Sequence, residues 1–382
     1  MDIALYSISD KIKGFHRLPF IKQLNGKIEN EGGKLAYFKR PRFFLATDSD
    51  YRRREEVDGV PSYPLYTLVP VSKVIGYPLL LWLLVTLPIK LQVNVVFRNR
   101  SNTSRIDWFY KPDQYLYLKG VSTTYAYTHY DNYDDDKDYY FSHSRNYEQT
   151  LRLCVQESLV TFTTGERLLE KLQELGQGTN VCYLPNAVSD EWLGVPHPDD
   201  KPEQKPVVIG FVGTIDTSID EDLIEVICQK YRNASVRLIG RVTNDAIERL
   251  SNKYQNLQLL GQVDYLKLPS MISDFTVGLV PYKGSPFNAY RNPLKLYEYC
   301  ACGIPTVSVA CDFDRSGRHL ISIANDIESF LDSLEQILSR RDGLRRERTE
   351  FAEANTWSLR AHQAIAQIRD HQIKEDNNET HI

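Results

Sequence analysis

Short apolar runs alternate with stretches of helical periodicity along most of this chain, and the alternation predicts strands and helices in turn. DIALYSIS (2–9) reads as a buried first strand, DKIKG (10–14) as a polar loop, and the segment near 17–30 as a helix. Further strands are expected at Arg42–Ala46, Ile106–Tyr110, Thr124–His129 and Leu159–Thr163, each followed by a loop and often by a helical pattern. A second series opens with VVIGFVG (207–213), with later strands expected at Ser235–Ile239, Leu257–Leu260, Phe275–Val280 and Thr306–Val309. Strands that alternate with helices argue for parallel sheets covered on both faces, so the fold class is α/β, with one architecture used twice.

The two series are separated by LPNAVSDEWLGVPHPDDKPEQKP (184–206), rich in proline and charge. The expected organisation is a first domain over 1–187, a linker over 188–205 and a second domain over 206–355. A helix is expected over 356–370, followed by a disordered tail over 371–382 whose residues are nearly all polar. A chain of 382 residues is long enough for two domains of ordinary size.

Composition fits a soluble globular protein, 42% apolar and 25% charged, and a net charge of −4 gives no reason to expect nucleic acid as a partner. The six cysteines lack zinc-ribbon or redox spacing and no secretory leader is evident, so buried thiols in a reducing cytoplasm are expected. Charge is uneven, however. Residues 61–105 contain Lys73, Lys90, Arg98, Arg100 and Arg105 but no acid, and they enclose the apolar run VIGYPLLLWLLVTLPIKL (74–91). Between Pro78 and Pro88 that run is well short of the ~20 residues a membrane span needs, which leaves a core helix or an interfacial helix in peripheral contact with an anionic membrane.

The densest local signal is NPLKLYEYCACGIPTVSV (292–309). Pro293 suits a helix start, Gly303 its end, and Pro305 prevents continuation before the β-prone Thr306–Val309. Lys295 and Glu298 lie three apart and share a face just inside the amide-rich end, which attracts phosphate, while the carboxylate can accept sugar hydroxyls. Ligands of parallel sheets bind outside the carboxyl ends of the strands. The loops there carry Gly213-Thr214, Gly240-Arg241, Asp264-Tyr265, Pro281-Tyr282 and GSPFNAYRN (284–292).

The order GFVGTI, LIGR, LLGQVDYLKLPSMISDFTVGLVPY and NPLKLYEYCACGIPTVSV resembles the donor-binding half of GT-B glycosyltransferases. The likeness is strongest to family 4-like bacterial enzymes of capsule, teichuronic acid and exopolysaccharide synthesis, and it spans about residues 205–310. It implies two Rossmann-like domains facing a cleft, with the helix over 356–370 returning to the first domain, a nucleotide diphosphate sugar as donor, a glycan or lipid-linked acceptor, and no metal or cofactor. It also implies that Glu298 binds the ribose, that Lys295 sits by the diphosphate, and that Asp264 and Tyr265 meet the base. Gly213, Thr214, Arg241, Tyr282, Asn288, Tyr290, Arg291, Asn292, Pro293 and Leu294 complete the expected donor site. Relatives often carry a second glutamate eight positions before the ribose-binding one, and Tyr290 stands there in this chain. That departure keeps a non-catalytic GT-B binding module open, and the shared architecture keeps a nucleotide-sugar epimerase open, as alternatives to a transferase.

On the acceptor side, a strand end at His129 followed by Asp131 offers a general base, and Lys13, Gly14 and His16 lie in the loop after the first strand. The aspartates at 134–136 and 138 read as a solvated loop.

Overall fold

The computed structural model describes residues 1–13, 15–100, 103–135, 139, 141–176, 178, 180–194, 206–339 and 343–379. The chain divides into two compact units, Met1–Leu184 together with Ser358–Ile382, and Pro185–Trp357.

The first unit is built on an eight-stranded sheet. In spatial order its strands are Val181–Tyr183, Val160–Thr163, Tyr125–His129, Arg105–Phe109, Asp2–Tyr6, Leu35–Phe38, Val60–Tyr63 and Glu55–Val57. All neighbours run parallel except the last pair. The first strand stops at Tyr6, and the strand expected at Arg42–Ala46 is only Arg42–Phe43, which pairs with Tyr66–Thr67 before a 3-10 turn at Phe44–Ala46. Short strands such as Leu35–Phe38 carry too few residues for a periodic signal.

The apolar run corrects a second expectation. Pro88 does not end the helix; Pro78–Phe97 is continuous for 20 residues, long and apolar enough to cross a membrane by length and composition. A widened π-turn at Trp82–Thr86 precedes the proline, and the Leu84 carbonyl four residues before it, which Pro88 cannot satisfy, accepts the Leu68 amide at 2.9 Å. Leu81, Val85, Ile89, Val93 and Phe97, spaced every four residues, are buried in the unit. On the same helix Leu79, Leu80, Trp82, Leu83, Leu91 and Val95 are exposed.

The second unit holds a six-stranded parallel sheet in the order Leu257–Leu259, Ser235–Ile239, Val208–Val212, Val277–Val280, Thr306–Val309, Ser322–Ala324. Counted along the chain this is 3-2-1-4-5-6, the doubly wound order, with its reversal between Val208–Val212 and Val277–Val280.

Two boundary expectations fail. Residues 188–193 are not linker: Val188 and Trp192 are fully buried in the second unit's core, and the Val188 amide and carbonyl bond Asn355 and Trp357 at 3.0 Å. The remainder of the expected linker, 195–205, lies outside the described residues. The C-terminal helix runs Trp357–Glu379, so residues 371–379 continue a helix instead of forming a disordered tail. Ala361, Ala364, Ile365 and Ile368 anchor it, Arg369 pairs with Glu31, and a helix so held propagates into polar residues at low cost.

Candidate active site

At the second unit's reversal the loops after the first, second and fourth strands interlock. The Gly213 amide donates to the Ile239 carbonyl and the Ile215 amide to the Arg241 carbonyl, both at 2.9 Å, while the Asp220 amide reaches the Pro281 carbonyl at 2.8 Å. Gly240 has φ of +150°, and a Cβ there would lie 1.8 Å from the Gly213 carbonyl oxygen; only glycine permits this approach. Gly213 itself, with φ of +142°, faces Lys295, whose Nζ would be 3.4 Å from an added Cβ.

Lys295 lies in the first turn of Leu294–Ala301, with Pro293 as the N-cap residue. Its ammonium donates to the Tyr282 hydroxyl and sits 4.6 Å from the Tyr282 ring centroid and 5.0 Å from that of Phe211. Arg291 covers Tyr282 as well, 5.1 Å from the centroid, and donates to the Asn288 side chain at 3.4 Å. Burial alone would raise the Tyr282 phenol, but Lys295 and Arg291 outweigh it and hold the group below its ordinary value. Two cations are thereby gathered around one ring at the carboxyl end of the fourth strand.

Glu298 is buried one turn further along. Burial pushes its carboxyl up to about 7, against the opposing pull of Lys295 and a hydrogen bond from Tyr265. The Tyr265 hydroxyl lies 3.4 Å from Ser189 Oγ, and its ring packs on Trp192 at 5.3 Å. Ser189 and Trp192 were not anticipated in this site. A tryptophan inside a proline- and charge-rich stretch is the signal that could have found them, since a solvated linker has no use for one.

The other expected donor residues have distinct placements. Thr214 and Arg241 are exposed at their strand ends. Asp264 caps the 3-10 turn Tyr265–Lys267 by accepting the Leu266 amide at 3.0 Å. Asn288 is buried and donates to the Lys283 carbonyl at 2.7 Å within the short helix Pro286–Ala289, of which Tyr290 is the C-cap. Asn292 is buried, donates to the Tyr297 hydroxyl at 3.0 Å, and its carbonyl accepts Asn186 at 2.7 Å, so the strap carrying Pro293 and Leu294 is held from both sides.

In the first unit His129 is fully buried, shares a 2.6 Å hydrogen bond with the Tyr127 hydroxyl, and is pushed down to about 3 by burial and by Lys171. It is therefore a neutral core imidazole away from solvent. Asp131, two residues on, is partly exposed; burial pulls the Arg17 guanidinium below its ordinary value, and the charge of Asp131 is one of the influences opposing that. His16 is exposed and packs edge-on against Tyr130 at 5.3 Å, which brings the loop after the first strand to Asp131's neighbour. Lys13 is exposed, and Gly14 lies outside the described residues. In the acidic loop Asp134 pairs with Lys171 at 2.5 Å and Asp135 accepts from Asn132 at 2.6 Å; Asp136 and Asp138 lie outside the described residues. Among the described residues no three His, Cys, Asp or Glu side chains gather as a metal site.

Comparison with known proteins identifies the fold. Sucrose-phosphate synthase from Thermosynechococcus elongatus superposes with a TM-score of 0.73 at 15% identity, covering 97% of this chain and 98% of that one. HepE of Anabaena in complex with UDP gives 0.68 at 12% identity, covering 97% and 100%. The fold is GT-B. Within this GT-B chain, residues 206–340 match the family model for glycosyl transferases group 1. TuaH of Bacillus subtilis (strain 168), whose name assigns it to teichuronic acid biosynthesis as a glycosyltransferase, is 28% identical over 103 residues. That stretch is 26% of this chain and 26% of TuaH, about a quarter of the relative's own length.

Proposed function

We propose that this chain is a GT-B glycosyltransferase that moves a sugar from a nucleotide diphosphate sugar to a glycan or lipid-linked acceptor in bacterial surface polysaccharide synthesis. The observation that carries the reading is the pairing of Lys295 and Arg291 around Tyr282 with the buried Glu298 one turn away, all at the reversal of a 3-2-1-4-5-6 sheet. The cations and the backbone at Gly213–Thr214 and Asn292–Leu294 receive the diphosphate, Glu298 accepts ribose hydroxyls, and Tyr265 and Asp264 flank the base; Asn288 and Tyr290 face the donor sugar, with Arg241 adding charge. Catalysis then rests on holding the donor and stabilising the departing diphosphate. Asp131, at the end of Tyr125–His129, takes the proton from the acceptor hydroxyl, and Lys13 and His16 line its approach. The match to the group 1 model, the likeness to TuaH and the UDP bound by HepE support this reading.

The enzyme works at the cytoplasmic face of a membrane. Pro78–Phe97 buries one side in its own unit while the exposed leucines, Trp82 and Val95 present the other, with exposed Lys73 and Arg98 at its flanks. A helix packed along one side lies in the interface; spanning would require it to unpack. All six cysteines are free thiols, which supports a reducing compartment.

A thermal-shift screen with UDP, GDP, ADP, CMP and dTDP, followed by incubation with the matching nucleotide sugars, tests the reading. Stabilisation by one nucleoside diphosphate and its release from a nucleotide sugar are expected. Binding without release across a full panel would favour the non-catalytic module.

A further inference from the structure

The first unit's sheet also reverses once, at Asp2–Tyr6, which has Leu35–Phe38 on one side and Arg105–Phe109 on the other. An open cavity of about 530 Å³ lies at the carboxyl end of these strands, where parallel sheets place ligands. Asp10 follows the first strand into its wall, Arg40 and Arg42 follow the second, Asp113 follows Arg105–Phe109, and Phe43 and Val71 supply an apolar side.

The two arginines differ. Arg42 is committed to the Asp10 carboxylate at 2.5 Å, with Asp48 at 4.0 Å. Arg40 is fixed through its backbone, its amide donating to Ser9 at 3.0 Å and its carbonyl accepting the Tyr51 hydroxyl at 2.7 Å. Its exposed guanidinium has no hydrogen bond or ion pair among the described residues. A guanidinium on a fixed backbone in a cavity wall matches a phosphate, which it can meet with two parallel hydrogen bonds. Asp113 accepts the Tyr139 hydroxyl at 2.5 Å, and a carboxylate has lone pairs for a further hydroxyl. Near Phe43 and Val71 in the chain, Phe44, Leu45 and Leu68 are exposed, and the Val71–Val74 helix leads into Pro78–Phe97 with its exposed leucines.

We propose that this cavity binds the anionic head of an amphiphilic acceptor, a sugar phosphate on an apolar tail, with Arg40 holding the phosphate and Asp113 a sugar hydroxyl. Calling the ligand an acceptor rests on the transfer reading above; the binding site does not. The full chain is titrated by calorimetry with octyl phosphate below its micelle concentration, with octanol, with inorganic phosphate and, separately, with the nucleoside diphosphate selected by thermal shift. Octyl phosphate is expected to bind more tightly than octanol or inorganic phosphate, and Arg40→Gln to weaken it about tenfold or more, Arg40→Lys less. Unchanged nucleoside diphosphate binding in both variants shows that they are folded. Equal octyl phosphate affinity in the parent and Arg40→Gln, or no binding by the parent, overturns the proposal. Inorganic phosphate binding as tightly as octyl phosphate overturns its amphiphilic part. Failure of every nucleoside diphosphate to bind while the octyl phosphate results hold would sink the donor assignment and leave the cavity standing.

Discussion

The Lys295 ammonium donates to the Tyr282 hydroxyl and lies 4.6 Å from the centroid of the same ring, so one tyrosine fixes the lysine through both its edge and its face. Phe211 on the other strand of the reversal adds a second ring at 5.0 Å. A lysine side chain that is already ordered loses little rotamer entropy when a diphosphate arrives.

Tyr282→Phe keeps the ring and removes the hydroxyl. Nucleoside diphosphate affinity should fall by about three- to tenfold, and Lys295→Ala should cost about tenfold or more with a shallower salt dependence. Calorimetry at two salt concentrations measures both.

Glu298 gives the site a pH dependence with a defined sign. Its carboxyl is raised from 4.5 to about 7, so between those values the folded state binds more protons than the unfolded state. Its contribution to stability is therefore greatest below pH 4.5 and is lost as pH rises through 7. Glu298→Gln should remove that slope and be more stable than the parent above pH 8 by about 1–3 kcal/mol. Because ribose hydroxyls donate best to the ionised form, parental nucleotide affinity should rise from pH 6 to 8 more steeply than that of the glutamine variant, in which only the ionisation of the terminal phosphate remains. Denaturant melts and titrations across that range check both trends.

Gly240 is a packing requirement at the base of the site. Gly240→Ala places a methyl 1.8 Å from the Gly213 carbonyl oxygen and should destabilise the protein by about 2–4 kcal/mol while weakening nucleotide binding. Chemical denaturation gives the first quantity and calorimetry the second.

Much of this site was legible in the sequence because it depends on local signals. Pro293, Gly303 and Pro305 bracket the Leu294–Ala301 helix and the Thr306–Val309 strand, and Lys295 and Glu298 share its face as the spacing requires. What the sequence hid depends on distant partners. The Leu68 amide that rescues the Leu84 carbonyl allows a helix to pass Pro88, and the Asn355 and Trp357 backbone groups that hold Val188 turn an apparent linker into core. His129 looked like a base at a strand end, yet the rings of Tyr127 and Tyr133 enclose it. Periodicity carries no trace of contacts made outside the element being read.

The exposed side of Pro78–Phe97 predicts membrane behaviour independent of donor binding. The parent should co-sediment with vesicles containing anionic lipid and release as salt rises, whereas Leu79→Asp with Leu83→Asp should stay soluble. Both positions are exposed, so nucleoside diphosphate binding and melting temperature should not change.

The most direct test of the central claim is a calorimetric titration of the selected nucleoside diphosphate into the parent and Glu298→Ala. A loss of about tenfold or more in affinity, with the variant folded, is the predicted result. Equal affinity in the two proteins would contradict the placement of the nucleotide at Glu298.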